Sequence, residues 1–300
     1  MEARMTADVF LKRYASFGHP IDAMINTGPA LRVNTLLIGE AELVARLESR
    51  GVVLEKIPFA KYGYWIKKSR FSLGSTAEYL RGLYYLQDAA AQVPVQVLAP
   101  KERMTVLDCC SAPGGKTTQL AQWMRNKGVI VSYEQANHRL VSLKANLERC
   151  NALNVVLFNA DAATVSKIEM RFDAALVDAP CSGNLAGDPQ WLRKRKLEDV
   201  QQNTPMQRKL LQAAVHAVKE GGTIVYSTCS LEPEENELII DWALKTLPVT
   251  CASTDLEVGE PGLIAPFGQQ LDPTIKNTRR LWPDAGKNEG FFVAKLVKHG

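Results

Sequence analysis

The sequence predicts an α/β protein: a mostly parallel sheet with helices on both faces, preceded by a small N-terminal α+β module. Three observations carry this. From about residue 104 onward, short β-rich runs alternate with helical stretches, the pattern of a parallel sheet covered on both sides. Several of those runs end in polar or reactive residues, and ligands of such sheets bind outside the carboxyl ends of the strands. The first hundred residues break the alternation and carry 12 Lys+Arg against 9 Asp+Glu, whereas 101–300 are nearly balanced.

Taken in order, a helical segment at about 7–17 precedes a strand at 30–38. A glycine-stopped helix follows at 40–51, then a strand at 52–57. This β-α-β order forms the accessory module, assigned to residues 1–85. In the main domain, 86–300, MTVLD (104–108) is a buried strand that leads through a Gly-rich turn into a helix at 115–126. VIVSYE (129–134), NVVLFNAD (154–161), FDAALVDAP (172–180), GTIVYSTC (222–229) and GFFVAKLV (290–297) are the further strands. Helices are expected at 138–150, at 205–222 with a glycine stop, and at 233–245 with an acidic first turn.

Composition excludes several classes. A hydrophobic fraction of 46% and a charged fraction of 23% suit a globular chain of 300 residues. No run approaches the roughly 18 apolar residues needed to cross a bilayer. The charged residues near the N-terminus argue against a secretory signal, so a cytoplasmic location is expected. The six cysteines form no Cys-x-x-Cys pair and no histidine lies near them, so no metal is expected and the thiols are read as reduced. The net charge of +4 is modest, but basic residues cluster at Lys61, Lys67, Lys68 and Arg70, at Arg193 to Lys196, and at Lys276, Arg279 and Arg280. The first cluster is interleaved with Tyr62, Tyr64, Trp65 and Phe71, a pattern suited to phosphate contacts and base stacking. Nothing points to a membrane or to an oligomer, and a monomer is expected.

LDCCSAPGGKTTQL (107–120) approaches a nucleotide-binding loop without being one. A P-loop needs glycine five residues before Gly115-Lys116-Thr117, and that position holds Cys110. No Gly-x-Gly-x-x-Gly is present either. What remains is a strand, a tight Pro-Gly-Gly turn and a helix N-terminus, whose backbone N–H groups can receive a carboxylate such as that of S-adenosylmethionine. The next two strands end in Glu134, placed for ribose hydroxyls, and Asp161, placed for an adenine amino group.

Two further segments carry reactive thiols at strand ends: LVDAPCSG (176–183) with Cys181, and VYSTCSLEPEEN (225–236) with Cys229. Cys109, Cys110, Cys150 and Cys251 are read as small apolar residues. Carbon 5 of cytosine is too weak a nucleophile to attack a methyl sulfonium. A thiolate adding to carbon 6 makes it enamine-like, an acid protonating ring nitrogen 3 assists the addition, and a second group must aid release. Asp178 is the candidate acid. The chemistry alone does not say which cysteine adds.

These segments resemble the NOL1/NOP2/Sun family of RNA cytosine-5 methyltransferases, over roughly residues 30 to 298. The matching pieces are LYYLQDAAAQ (83–92), LDCCSAPGGKTTQLA (107–121), the Glu134 strand, Asp161, VDAPCSG (177–183), YSTCSLEPEENE (226–237) and RLWPDAGKNEGFFVAKL (280–296). The resemblance implies a Rossmann-like class I methyltransferase domain behind an RNA-binding segment. It implies S-adenosyl-L-methionine held by the loop Cys110, Ser111, Ala112, Pro113, Gly114, Gly115 and Lys116, and by Glu134, Asp161 and Asp178, with Arg139 an extra contact. It also implies Cys229 as the nucleophile and Cys181 as the cysteine linked to release. Two positions depart from the pattern: Ser111 stands where many relatives have alanine, and Val-Ser-Tyr-Glu is less aliphatic than usual. Among subgroups the chain is most similar to compact archaeal tRNA enzymes, so RNA is the expected partner and tRNA is favoured over ribosomal RNA. The alternatives are a ribosomal-RNA enzyme, a non-catalytic RNA-binding assembly factor that keeps the cofactor fold, and a DNA methyltransferase.

Overall fold

The computed structural model describes residues 2–300. Helix α1 (Glu2–Ser16) leads into a four-stranded antiparallel sheet made of β1 (Ala30–Val33), β2 (Val53–Lys56), β3 (Gly63–Lys68) and β4 (Tyr84–Leu86), in the order β2-β3-β1-β4. Helix α2 (Glu40–Glu48) lays Leu43 and Leu47 on Leu31, Val33 and Tyr84, and α3 (Ala77–Leu80) follows. The sequence reading placed β1 as far as residue 38. It stops at Val33 because Asn34 turns the chain, its Oδ1 accepting from the Leu36 N–H at 3.2 Å and its Nδ2 donating to the Gly82 and Cys150 carbonyls at 2.9 Å each.

The reading also placed Trp65 among exposed stacking aromatics. It is buried, 5% exposed, because the pleat of β3 turns it inward against Phe59, and its Nε1 donates to the Lys287 carbonyl at 2.7 Å. Arg280, grouped with a basic surface cluster, is likewise fully buried in an ion pair with Glu237 at 2.5 Å. A buried guanidinium needs such a partner.

The second sheet has nine strands. In chain order the elements are α4 (Val93–Leu98), β5 (Thr105–Asp108), α5 (Gly115–Trp123), β6 (Val129–Tyr133), α6 (Asn137–Arg149), β7 (Val155–Phe158), β8 (Phe172–Asp178), α7 (Trp191–Lys194), α8 (Leu197–Ala217), β9 (Val218–Thr228), α9 (Glu237–Thr246), β10 (Val249–Ala252), β11 (Glu260–Pro261), β12 (Arg279–Leu281) and β13 (Phe291–Lys298). The strand order is β11-β12-β13-β9-β8-β5-β6-β7, with β10 on β13. The run β9-β8-β5-β6-β7 is parallel, and β10 to β13 add antiparallel pairs. Apolar side chains of β5, β8 and β9 pack between α8 and α9 on one face and α4 and α5 on the other. Chain order reverses between β5 and β8, and such switch points open a crevice at the carboxyl ends.

Helix α8 begins eight residues before the expected Pro205 and passes through it, its start held by the Asp199 carboxylate accepting from the Lys196 N–H at 2.9 Å. It ends at Ala217, before the glycines, because Val218 already pairs with Phe172. Helix α9 starts four residues later than expected, since the Pro233–Asn236 turn is tied to the loop after β9. Among the described residues no helix is long and apolar enough to cross a membrane.

Candidate active site

Strand β5 ends in Asp108, which is fully buried and pushed up to about 6, chiefly by that burial. Thr117 donates to its Oδ2 at 2.6 Å, while among the described residues Oδ1 has no hydrogen-bond partner. Cys110, Ser111 and Ala112 then turn the chain, and Gly114 adopts φ 106°, which favours glycine, immediately before α5. Glu134, just past the end of β6, braces this loop: its carboxylate accepts from the Ala112 N–H at 3.2 Å and from the Ala136 N–H at 2.8 Å. Arg139 lies 3.6 Å from Glu134 and donates to the Ala112 carbonyl at 2.6 Å. Asp161 follows β7. Burial alone would raise its carboxyl, but Lys209 at 2.9 Å and the Ala163 N–H outweigh that and hold it below its ordinary value.

Cys110, Glu134, Arg139 and Asp161, with Pro180 and Lys209, line one pocket of about 610 Å³ at the carboxyl ends of the parallel strands. Ser111 and Ala112 are buried residues of the loop, and Pro113, Gly114 and Gly115 carry it into α5. Lys116 points elsewhere, onto Asp178. Its Nζ donates to Oδ2 at 2.7 Å, while Ser227 donates to Oδ1 at 2.8 Å.

The sulfurs of Cys181 and Cys229 meet at 3.3 Å in a second cavity of about 280 Å³, shared with Asn184, Trp191, Arg195 and Glu289. Both thiols are free and half-buried. The neighbouring Cys229 and burial push the Cys181 thiol well above its ordinary value, and the S–H of one cysteine can donate toward the sulfur of the other. Asn184 stitches the two loops together through the Cys229 carbonyl at 2.7 Å and the Gly290 carbonyl at 3.0 Å. Burial raises each of the other four thiols, Cys110 in the cofactor pocket among them.

Sequence reasoning missed Asp108, Lys209, Glu235 and Glu289. Asp108 carries the same signal as Glu134 and Asp161, an acid at the end of a strand. Lys209 lies within a helix and Glu235 in a turn, where local pattern says nothing of a site. Among the described residues no group of three or more His, Cys, Asp or Glu side chains could hold a metal ion.

A nucleoside-sized pocket at a parallel-sheet switch point, with acids at successive strand ends, defines a class I methyltransferase. The lining of the pocket fits S-adenosylmethionine, since Glu134 and Asp161 present carboxylates that can accept from hydroxyl and amino groups. The family follows from comparison with known proteins. The family model for 16S rRNA methyltransferase RsmB/F matches residues 95–297, and that for the N-terminal domain of 16S rRNA methyltransferase RsmF matches 6–89. The chain belongs to this family of S-adenosylmethionine-dependent methyltransferases, within the NOL1/NOP2/Sun group.

The mouse 28S rRNA (cytosine-C(5))-methyltransferase is 38% identical over 275 residues, covering 89% of this chain and 35% of the relative. Ribosomal RNA small subunit methyltransferase F of Aeromonas hydrophila is 37% identical over 308 residues, covering 100% of this chain and 62% of the relative. The chain thus spans about a third to three-fifths of the length of these curated relatives. A solved methyltransferase homologue from Pyrococcus horikoshii superposes with a TM-score of 0.84 at 42% identity, covering 92% of this chain and 88% of that one.

Proposed function

We propose that this chain methylates carbon 5 of a cytosine in RNA, with Cys229 as nucleophile, and that its substrate is ribosomal RNA. The 3.3 Å approach of Cys181 and Cys229 beside the cofactor pocket carries the chemistry. The substrate rests on the relatives named above, which act on ribosomal RNA. That moves the reading away from the tRNA expected from sequence.

Glu134 and Asp161 would hold the ribose and adenine of S-adenosylmethionine, with its amino-acid end at the loop 110–116 before α5. When bound, it supplies an electrophilic methyl group. The Cys229 thiolate, steadied by the Cys181 S–H, adds to carbon 6 of the base. Asp178, whose carboxylate accepts from Lys116 and Ser227, takes a proton from the Lys116 ammonium and passes it to ring nitrogen 3, leaving carbon 5 nucleophilic. After methylation, solvent water takes the hydrogen on carbon 5 as a proton, its bonding pair forms the carbon 5–carbon 6 double bond, and the sulfur–carbon 6 bond breaks while the nitrogen 3 proton returns through Asp178 to Lys116. Cys181, beside that bond, assists the departure of the Cys229 thiolate. Arg193, Lys194, Arg195 and Lys196 are exposed, Arg195 lines the cavity, and the run suits backbone phosphates. In the N-terminal module, exposed Lys67 and Lys68 flank a groove with Phe71, which suits RNA binding.

The test is transfer of labelled methyl groups from S-adenosylmethionine to deproteinised ribosomal RNA and, separately, to tRNA, with bisulfite sequencing of the products. Labelled 5-methylcytosine in ribosomal RNA is expected. Methylation of tRNA alone overturns the substrate, and no 5-methylcytosine in either RNA overturns the activity.

A further inference from the structure

The cavity around the two sulfurs contains a carboxyl group for which the mechanism above has no use. Glu289 lines it together with Cys181 and Cys229. Its backbone is fixed just before β13: its N–H donates to Asp88 Oδ2 at 3.3 Å, and the adjoining Gly290 carbonyl accepts from Asn184. A Cβ on Gly187 would lie 2.9 Å from Glu289 Oε2, so the carboxyl rests against the loop that follows Cys181.

The other acids nearby are engaged. Asp178 accepts from Lys116 and Ser227, Asp88 from the Ala90 and Glu289 N–H groups, and Asp188 from Lys194 and the Gln190 N–H. Among the described residues, nothing donates a hydrogen bond to the Glu289 carboxylate. Burial and the charge of Asp88 push it up to about 7, against the weaker pull of Lys116. An acceptor held half-buried without a donor gains most from a ligand N–H placed against it.

We propose that Glu289 reads the exocyclic 4-amino group of the target cytosine, an inference that rests on the cytosine-5 methylation reading. Its carboxylate accepts an amino N–H. Uracil would present a 4-oxo oxygen there, setting it against the ionised carboxylate as acceptor against acceptor, and so is rejected. The same contact favours reaction: as Cys229 adds and nitrogen 3 takes a proton, positive charge spreads onto the amino nitrogen beside the carboxylate. Glu289 is therefore a specificity-determining residue distinct from the N3 acid Asp178.

The experiment edits the enzyme and the base together. A synthetic RNA spanning the cytosine mapped by bisulfite sequencing is made with 5-fluorocytosine at that position, and again with 5-fluoro-2-pyrimidinone, which lacks the amino group. Fluorine cannot leave carbon 5 as a cation, so the covalent adduct persists and its rate of formation is read on a denaturing gel with S-adenosylmethionine present. Glu289→Ala is expected to slow the 5-fluorocytosine adduct by about 10- to 100-fold, the worth of a hydrogen bond to a charged group. The 5-fluoro-2-pyrimidinone rate should stay within about twofold, since no amino contact is there to lose. Glu289→Gln, which keeps an acceptor oxygen without the charge, should recover part of the loss. Equal slowing of both RNAs, or of neither, overturns the role of Glu289. If the unaltered enzyme forms no adduct with the 5-fluorocytosine RNA, the methylation reading falls and takes this inference with it, a pattern distinct from loss of the coupling alone.

Discussion

Glu235 holds Ser182 at two points. Its carboxylate accepts from the Ser182 N–H at 2.9 Å and from the Ser182 hydroxyl at 2.6 Å, and also from Asn203 at 2.8 Å and Gln207 at 3.1 Å. Glu235 stands six residues after Cys229, and Ser182 immediately follows Cys181, so one buried acid ties the two cysteine loops to each other and to α8. Glu235→Ala strands these buried donors and should cost on the order of 3 kcal/mol in urea denaturation. Methyl transfer should fall further than unfolding explains, because the sulfurs lose their register. A Glu235→Ala enzyme of unaltered stability would contradict this role.

The cysteine pair gives a sharper contrast. Cys229→Ala should abolish methyl transfer, since Cys181, the other thiol of the cavity, serves release and not addition. Cys181→Ala should still add to the base and fail to release it, leaving a slower-migrating protein–RNA species on a denaturing gel. Methyl transfer retained in Cys229→Ala would move the nucleophile elsewhere, and a Cys181→Ala sample free of adduct would remove the release role.

Cofactor binding is separable from both. Glu134→Ala should raise the Kd for S-adenosylmethionine by about 10- to 100-fold in calorimetry, the value of a lost charged hydrogen bond plus a loosened Ala112 loop. RNA binding should be unchanged, because Glu134 faces the other pocket. An unaltered cofactor Kd would take Glu134 out of the ribose contact.

Legibility in the sequence follows the range of the interaction. The parallel strands were readable because each is a short apolar run whose last residue changes character, and Glu134, Asp161, Asp178, Cys181 and Cys229 all lie at such ends. The N-terminal sheet was not, because β3 mixes aromatic and basic residues and β4 is three residues long. Only pairing with β1 decides that Trp65 faces inward. Lys209, Glu235 and Glu289 act across dozens to hundreds of residues, and nothing in their local sequence encodes that reach. Lys116 lay in a legible motif, yet its direction, toward Asp178, depends on β8 being the neighbour of β5.

Arg32 tests how the N-terminal sheet supports the cofactor loop. It is 1% exposed and donates to Gln87 at 2.6 Å, the Gly115 carbonyl at 2.7 Å, Thr118 at 2.9 Å and Gln122 at 3.1 Å. Burial lowers its pKa only to about 10, so it stays charged at neutral pH, satisfied by neutral acceptors around the first turns of α5. Arg32→Met leaves those acceptors unpaired and should cost about 3 kcal/mol or more, with cofactor affinity falling as the start of α5 loosens. Loss of stability with the S-adenosylmethionine Kd intact would confine Arg32 to a structural role.

Glu232 gives the protein a pH-dependent stability with a defined sign. It is fully buried, accepts from the Tyr14 hydroxyl at 2.7 Å and lies 2.8 Å from Arg13 of α1. Burial outweighs these partners and pushes it from an ordinary 4.5 up to about 7. Between those two values the folded chain binds the proton that the unfolded chain has released. The stabilisation is therefore complete below the unfolded value and is lost as pH rises through about 7, amounting to about 3 kcal/mol over the window. Urea denaturation at about pH 5 and about pH 8 should show this loss in the unaltered protein and much less of it in Glu232→Gln, whose side chain does not titrate. Glu289 is raised in the same range and contributes the same sign, so the slope should shrink in Glu232→Gln without vanishing. An identical slope in the two proteins would mean that Glu232 titrates in the fold as it does in the open chain, and that Arg13 and Tyr14 fully offset its burial.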